Sequence, residues 1–196
     1  IRDRIRRVVL LGPTHRVAIR GLALPGVDAF ETPLGTIPVD APAVASLADL
    51  PQVVTSAAAH AQEHSLEVHL PFLQTVLGEF TLVPLAVGHA SPDDVATVLD
   101  RLWGGPETLI VVSSDLSHYL PYATAVRTDR GTVGDILRLD PHVEHDHACG
   151  ATPINGLLAL ARRHPLRPEL VDLRNSGDTA GDRSRVVGYA AIAFHE

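Results

Sequence analysis

The groups able to do chemistry stand where apolar runs break off. In residues 109–119, LIVVSSDLSHY, an unbroken apolar stretch turns abruptly into Ser113, Ser114, Asp115, Ser117, His118 and Tyr119. The apolar half has the form of a strand buried on both faces. A strand that ends in clustered polar groups sets them at the carboxyl edge of a sheet, where open α/β sheets hold their ligands. Asp115 and His118 have i, i+3 spacing, so a tight turn or first helical turn faces both into one pocket. The competing reading is a helix N-cap at Ser114 or Asp115 with His118 solvated. His15 has the same architectural place: residues 8–11 are apolar, and Gly12-Pro13 breaks regular structure just before it. Glu63 and His64 fall in the densest polar cluster, HAQEHS at residues 60–65. Glu63 has the chemistry of an acid or base, or of a group that orients a ligand histidine through its second ring nitrogen. An ordinary first-turn acid is the other reading.

Cys149 is the most specific of these residues. It precedes Gly150 and the helix start Thr152-Pro153, where unpaired main-chain N–H groups and the helix dipole favour a thiolate. A thiolate suits a soft or borderline metal, and His15 is its natural companion ligand. The alternative is a packing cysteine, for which a Gly-flanked polar loop is an unusual place. His145 and His147 share that loop and read first as solvated, with a supplementary metal role as the alternative. His69 reads as packing, and Asp178 and Asp182 as turn residues. Metal-free hydrolysis, with Cys149 as nucleophile beside His118 and Asp115, needs the three to converge, and nothing in the sequence arranges that. Neither a Gly-rich phosphate loop nor a G-x-S-x-G elbow occurs.

The elements that must position these groups alternate along the chain. After the run at residues 8–11, residues 16–24 read as a strand or hairpin arm, and residues 30–39, with two prolines and a glycine, as a loop or edge segment. Asp40 and Pro42 open a short helix to about residue 50, and residues 53–56 form a short strand. Leu66, Leu70, Leu73 and Leu77 follow at helical spacing, with Pro71 demanding a kink or a fresh start. Residues 80–87 are an apolar run that Pro84 places near an edge or bulge. Ser91-Pro92-Asp93-Asp94 is a helix start with cap, proline and acids in order, and Val95, Val98, Leu99 and Leu102 are its buried stripe. Residues 122–140 read as helix interrupted by Gly131 and Gly134. A polar loop, a helix to Arg163, a strand at 168–175, a turn-rich loop at 176–183 and a strand at 186–194 complete the chain. This alternation predicts an α/β fold: a single layered domain over residues 1–196, with a central mostly parallel or mixed sheet flanked by helices.

Composition narrows the function classes. A chain of 196 residues with 45% hydrophobic content supports one good-sized core. A net charge of −7 argues against nucleic acid as a partner, since phosphate binding needs a basic field. No apolar run has the length of a membrane span, and the run that follows RIRR is too short for a secretory leader. One cysteine excludes an internal disulfide and fits a reducing compartment, so a cytoplasmic location is expected. Eleven histidines invite a metal. The chain begins Ile1-Arg2-Asp3 and has no methionine, which reads as a lost start.

Taken in order, GPTHR, TPLGTIPVD, EHSLEVHLPFL, VVSSDLSHY, CGATPI and SGD followed by VVGYAAIAF resemble the Memo family, whose bacterial members are called AmmeMemoRadiSam system protein B. The resemblance runs from about residue 8 to the C-terminus. It implies a fold similar to LigB-type class III extradiol dioxygenases, which open catechol rings with non-haem iron and O₂. It places a metal-site histidine on His15 and a metal-site cysteine on Cys149, with iron(II) as the leading metal and copper or zinc as alternatives. Asp115, His118, Glu63 and His64 would then face the metal as catalytic, proton-handling groups. A further family histidine, in a His-Ala-Gly segment before the GPTHR motif, has no counterpart after Ile1. Three readings follow: the third ligand lies upstream of this chain, which is the favoured one, or His64, His118 or His147 completes the site, or metal binding is lost. The implied activity is oxygen-linked redox chemistry on a small molecule. The alternative is a non-catalytic module that binds a peptide or partner in the same pocket.

Overall fold

The computed structural model describes residues 2–195; Ile1, where the sequence reading places a lost start, and Glu196 lie outside the described residues. In chain order the elements are β1 (Arg7–Pro13), β2 (Leu22–Leu24), β3 (Ala29–Thr32), β4 (Gly35–Pro38), α1 (Ala41–Ala45), β5 (Val53–Thr55), α2 (Ala57–Ala61), and a 3-10 turn (Glu67–His69) that runs into α3 (Leu70–Val76). Then come β6 (Thr81–Val87), α4 (Pro92–Arg101), β7 (Thr108–Val112), β8 (His118–Leu120), α5 (Tyr122–Leu137), α6 (Ala151–Ala161), β9 (Arg167–Asn175), α7 (Ser176–Thr179) and β10 (Val186–His195).

Alternation along β1 generates the layers. Val9 and Leu11 join one core with Val95, Val98 and Leu99 of α4 and Leu160 of α6. Val8 and Leu10 join the opposite core with Leu70 and Leu73 of α3. The period of two thus sends one strand's side chains to helices on both faces of the sheet. That central sheet has the order β5-β2-β6-β1-β7. β1 is parallel to β6 and β7, while β2 runs antiparallel to β6, so the sheet is mixed. A three-stranded antiparallel sheet, β8-β10-β9, packs with α5 and α6 around a third core of Leu116, Val133, Ile136 and Leu158. The architecture is the α/β fold with a mixed central sheet and flanking helices that the sequence predicts. Among the described residues, no helix is long and apolar enough to cross a membrane.

Local signals explain the helix starts. Ser91 and Asp94 form a reciprocal capping box at α4, and Asp40 caps α1 by accepting from Ala43 N–H at 2.9 Å. Pro71 stands in the first turn of α3 and ends the preceding 3-10 turn, giving the fresh start its missing N–H requires.

Several elements differ from the sequence reading. The strand predicted to be buried on both faces, β7, is the sheet's edge and is half-buried throughout; an apolar run does not show how many neighbours it has. Pro84 lies in an inner strand, β6, rather than near an edge. Thr81 donates its N–H to the Arg6 carbonyl on the β1 side. Strand alternation turns the Pro84 nitrogen the other way, toward β2, whose pairing with β6 is confined to Ala86 and Val87. The missing donor therefore breaks no ladder bond. Residues 30–39 hold a hairpin, β3–β4. Only residues 22–24 of the predicted 16–24 strand are extended. Gly131 and Gly134 leave α5 continuous, because Ala125, Asp129, Thr132, Val133 and Ile136 bury one face that outweighs the glycines' backbone entropy. The 176–183 loop opens with the short helix α7, capped reciprocally by Asn175 and Asp178.

Candidate metal centre

Two segments meet beyond the carboxyl ends of β1 and β7 and flank an open cavity of about 480 Å³. One wall is built on Glu63. The residue is 7% exposed, and its carboxylate accepts from the main-chain N–H groups of His15 (2.5 Å), His64 (2.9 Å) and Ser65 (3.1 Å), with the Nδ1 of His15 2.9 Å away. Burial alone would raise the Glu63 pKa; the donors, His15 first, outweigh it and hold the carboxyl at about 2. With Nδ1 held by Glu63, His15 has Nε2 left for the cavity, the arrangement by which a carboxylate fixes a ligand histidine. Ser65 Oγ donates to the Pro13 carbonyl at 2.8 Å, and a Cβ on Gly12 would stand 2.7 Å from that same Oγ. Gly12 therefore lets the 63–65 segment close onto the end of β1.

The other wall is the loop after β7 packed against the start of α6. Ser113 N–H donates to the Leu11 carbonyl at 2.7 Å, so the loop leaves the sheet beside β1. Asp115 N–H points at Cys149 Sγ (3.2 Å), and Cys149 N–H returns to the Asp115 carbonyl (3.3 Å). Gly150 N–H donates to Ser114 Oγ at 2.9 Å, and a Cβ on Gly150 would stand 2.5 Å from the Ser113 carbonyl oxygen. Only glycine permits so close an approach. No helix follows Asp115; the loop enters β8 at His118, whose Nε2 lies 3.6 Å from Asp115 Oδ2.

Asp115, His118 and Cys149 each offer one donor atom, and these atoms all lie within 4.8 Å of one another. The 3.6 Å between Nε2 and Oδ2 is about the separation of two donors each roughly 2.1 Å from one tetrahedral ion. Thiolate, imidazole and carboxylate together match a borderline transition metal, so the residues fit the group that the resemblance implies.

All six residues singled out from the sequence are at this site, in different relations to it. His15 faces the cluster from the opposite wall and is not part of the close group of donors. Among the three histidines weighed as a further ligand, His118 is the one beside Cys149. His64 lines the cavity, but its Nδ1 is 2.7 Å from Glu67 Oε1 and its side chain is 66% exposed. His147 is half-buried away from the lining, and His145 lies 3.2 Å from Thr152 Oγ1 at the start of α6. The convergence of Cys149, His118 and Asp115, for which the sequence has no signal, is thus present. Their spacing suits a shared ion better than a hydrogen-bonded relay, since even the Asp115–His118 contact exceeds hydrogen-bond length.

The structure adds residues that sequence reasoning missed. Arg16 and Val68 also line the cavity, together with Ser65 and Ser113 of the two polar clusters already named. His69, read as packing, is half-buried: burial pushes its pKa down while the Asp115 charge pulls the other way. Burial, and then the same charge, pushes the Tyr189 hydroxyl up. The Asp115 charge thus acts on both rings. His69 lies in a helical pattern with His64 and Ser65 that marks it as a neighbour of the site; Tyr189, within an apolar strand, carries no such mark.

Fold and site together define an α/β protein with a cluster of donors able to hold a metal ion, and comparison with known proteins gives its family. The Memo-like protein family model matches residues 1–193. The chain is 37% identical to a MEMO1 family protein of Methanopyrus kandleri, over 95% of this chain and 71% of that one. It is 34% identical to one of Aquifex aeolicus (96% and 75%) and 32% identical to one of Sulfolobus acidocaldarius (95% and 71%). The chain belongs to the Memo-like family.

Proposed function

We propose that this chain is a metal-dependent oxidoreductase that binds iron(II), with copper and zinc as the alternatives, and carries out oxygen-linked redox chemistry on a small molecule in the cytoplasm. The observation that supports this is the convergence of the donor atoms of Asp115, His118 and Cys149, with Asp115 and Cys149 lining the cavity. Iron held there would supply sites for O₂ and substrate and a one-electron redox couple. It would differ from the two-histidine, one-carboxylate set of ring-cleaving oxygenases by its thiolate. The chain's own groups supply the rest. Glu63 fixes the ring of His15 through Nδ1, which leaves Nε2 unengaged by that pair in a residue that lines the cavity. The cavity is of a size that takes a small organic substrate. His64 at the rim and His15 within can carry protons between it and solvent.

The test is metal content and oxygen uptake. The purified chain loaded with iron(II) should retain about one ion per chain and consume O₂ with a catechol, whereas Cys149→Ala and His118→Ala should retain none. Equal retention by all three proteins would overturn the assignment.

A second reading, a non-catalytic peptide- or partner-binding module, is favoured by one observation. Val68 at the cavity rim, Phe72 and Val76 follow at helical spacing and are 51%, 73% and 59% exposed. If the iron-loaded chain leaves catechol and O₂ unchanged while Phe72→Asp abolishes binding of an apolar peptide, that reading replaces the first.

A further inference from the structure

A buried acid outside the cavity bears on the same site. Asp129, on the inner face of α5, is 2% exposed, in a position whose neighbours Ala125, Val133 and Ile136 are apolar. Burying a carboxyl group is costly unless it is hydrogen-bonded. Its Oδ1 accepts the main-chain N–H of Ser117 at 3.0 Å. Ser117 lies between the two donors of the proposed centre, Asp115 and His118.

The same segment is gripped from the other side by β10. Leu116 N–H donates to the Gly188 carbonyl at 2.8 Å, and Gly188 N–H donates to the Ser117 carbonyl at 2.9 Å. These main-chain bonds leave the Ser117 N–H without a strand partner, and Asp129 supplies it. Gly188 makes room for that carboxyl: a Cβ there would stand 2.0 Å from Asp129 Oδ2. Asp129 and Gly188 thus form one brace. Ser117 itself contributes through its backbone, for its fully buried Oγ has no hydrogen-bond partner among the described residues.

We propose that Asp129 is a positioning residue: through the Ser117 N–H it holds the 115–118 segment so that the Asp115 carboxylate and the His118 ring meet at Cys149. This rests on the metal-site reading above. Cys149 stands on a different segment, the turn just before α6, so a fault in the brace separates Asp115 and His118 from the sulfur without removing the sulfur.

The test uses the full chain with Co(II) as the metal probe, read by the thiolate-to-cobalt charge-transfer band and the visible ligand-field bands. Hydrogen exchange of residues 113–120 is read in parallel without metal. Asp129→Ala should weaken Co(II) binding roughly ten- to a hundredfold, as loss of a group that orients ligands does. At saturating Co(II) it should keep the charge-transfer band and alter the ligand-field bands. Exchange in residues 113–120 should quicken there and not elsewhere. Asp129→Asn, which keeps an acceptor for the Ser117 N–H, should restore both readouts. Ser117→Ala should match the unaltered chain.

Unchanged Co(II) affinity and unchanged exchange in Asp129→Ala would overturn the proposal, as would failure of Asp129→Asn to restore them. If Asp129→Ala does not fold, Gly188→Ala, whose methyl displaces the carboxyl without deleting it, takes its place and must give the same two effects. If the unaltered chain takes up no Co(II), the metal reading fails, and the exchange measurement still decides the role of Asp129.

Discussion

Two carboxylate–histidine pairs face each other across the cavity, alike in chemistry and opposite in construction. Glu63 is buried, takes three main-chain N–H donors and holds the His15 ring at 2.9 Å. Asp115 has a 48% exposed side chain and lies 3.6 Å from His118, beyond hydrogen-bond range. The first carboxylate has its acceptor capacity filled by the protein and acts as architecture. The second keeps its lone pairs free, next to a sulfur and an imidazole. A carboxylate's neighbours, more than its type, decide whether it holds the fold or meets a ligand.

The comparison can be broken from either side. The largest effect is expected from Glu63→Ala, which strands buried N–H groups and should cost about 3 kcal/mol of stability. In a chain this size that lowers the unfolding midpoint by roughly 6–12 °C, readable by calorimetry. Asp115→Ala should leave the metal-free midpoint within about a degree of the unaltered chain, yet weaken metal binding roughly a hundredfold, close to 2.7 kcal/mol. If the two variants exchanged these signatures, the assignment of roles would be reversed.

A pH dependence sharpens the contrast. Glu63 is held at about 2 in the folded chain, against an ordinary 4.5. A lowered folded pKa means that its contribution is full above about 4.5 and is lost as pH falls toward 2. Denaturant titrations across that window should show stability falling, with a shallower fall in Glu63→Gln; identical slopes would remove Glu63 from the account. The smallest effect is expected at the rim. His64→Ala should change stability by less than about 0.5 kcal/mol and metal affinity by less than about twofold, since the ring is exposed and turned toward Glu67.

The two walls were not equally legible in the sequence. GPTHR and EHS show polar groups at element ends, and the structure joins them through Glu63. What they do not show is that three of the four donors on Glu63 are main-chain N–H groups, because backbone geometry leaves no residue signature. On the other wall, Cys149 stands out by its glycine and helix start, and Asp115 and His118 by their spacing. Their meeting depends on α5 carrying the chain away and back, and on Asp129 and Gly188 clamping residues 116 and 117. Each is unremarkable in sequence, one an acid on a helix and the other a glycine in a strand. The same limit applies to the sheet. Ser91-Pro92-Asp93-Asp94 and Pro71 mark helix starts because capping is local, whereas the edge position of β7 and the inner position of Pro84 depend on distant strands.

On the reading proposed above, Cys149 binds metal together with Asp115 and His118. X-ray absorption at the metal edge of the iron-loaded chain measures this most directly. The expected result is a sulfur scatterer at about 2.3 Å beside nitrogen and oxygen donors, lost in Cys149→Ala, with the nitrogen and oxygen shell diminished in His118→Ala and Asp115→Ala. A shell of nitrogen and oxygen alone, unchanged in all three variants, would contradict the account.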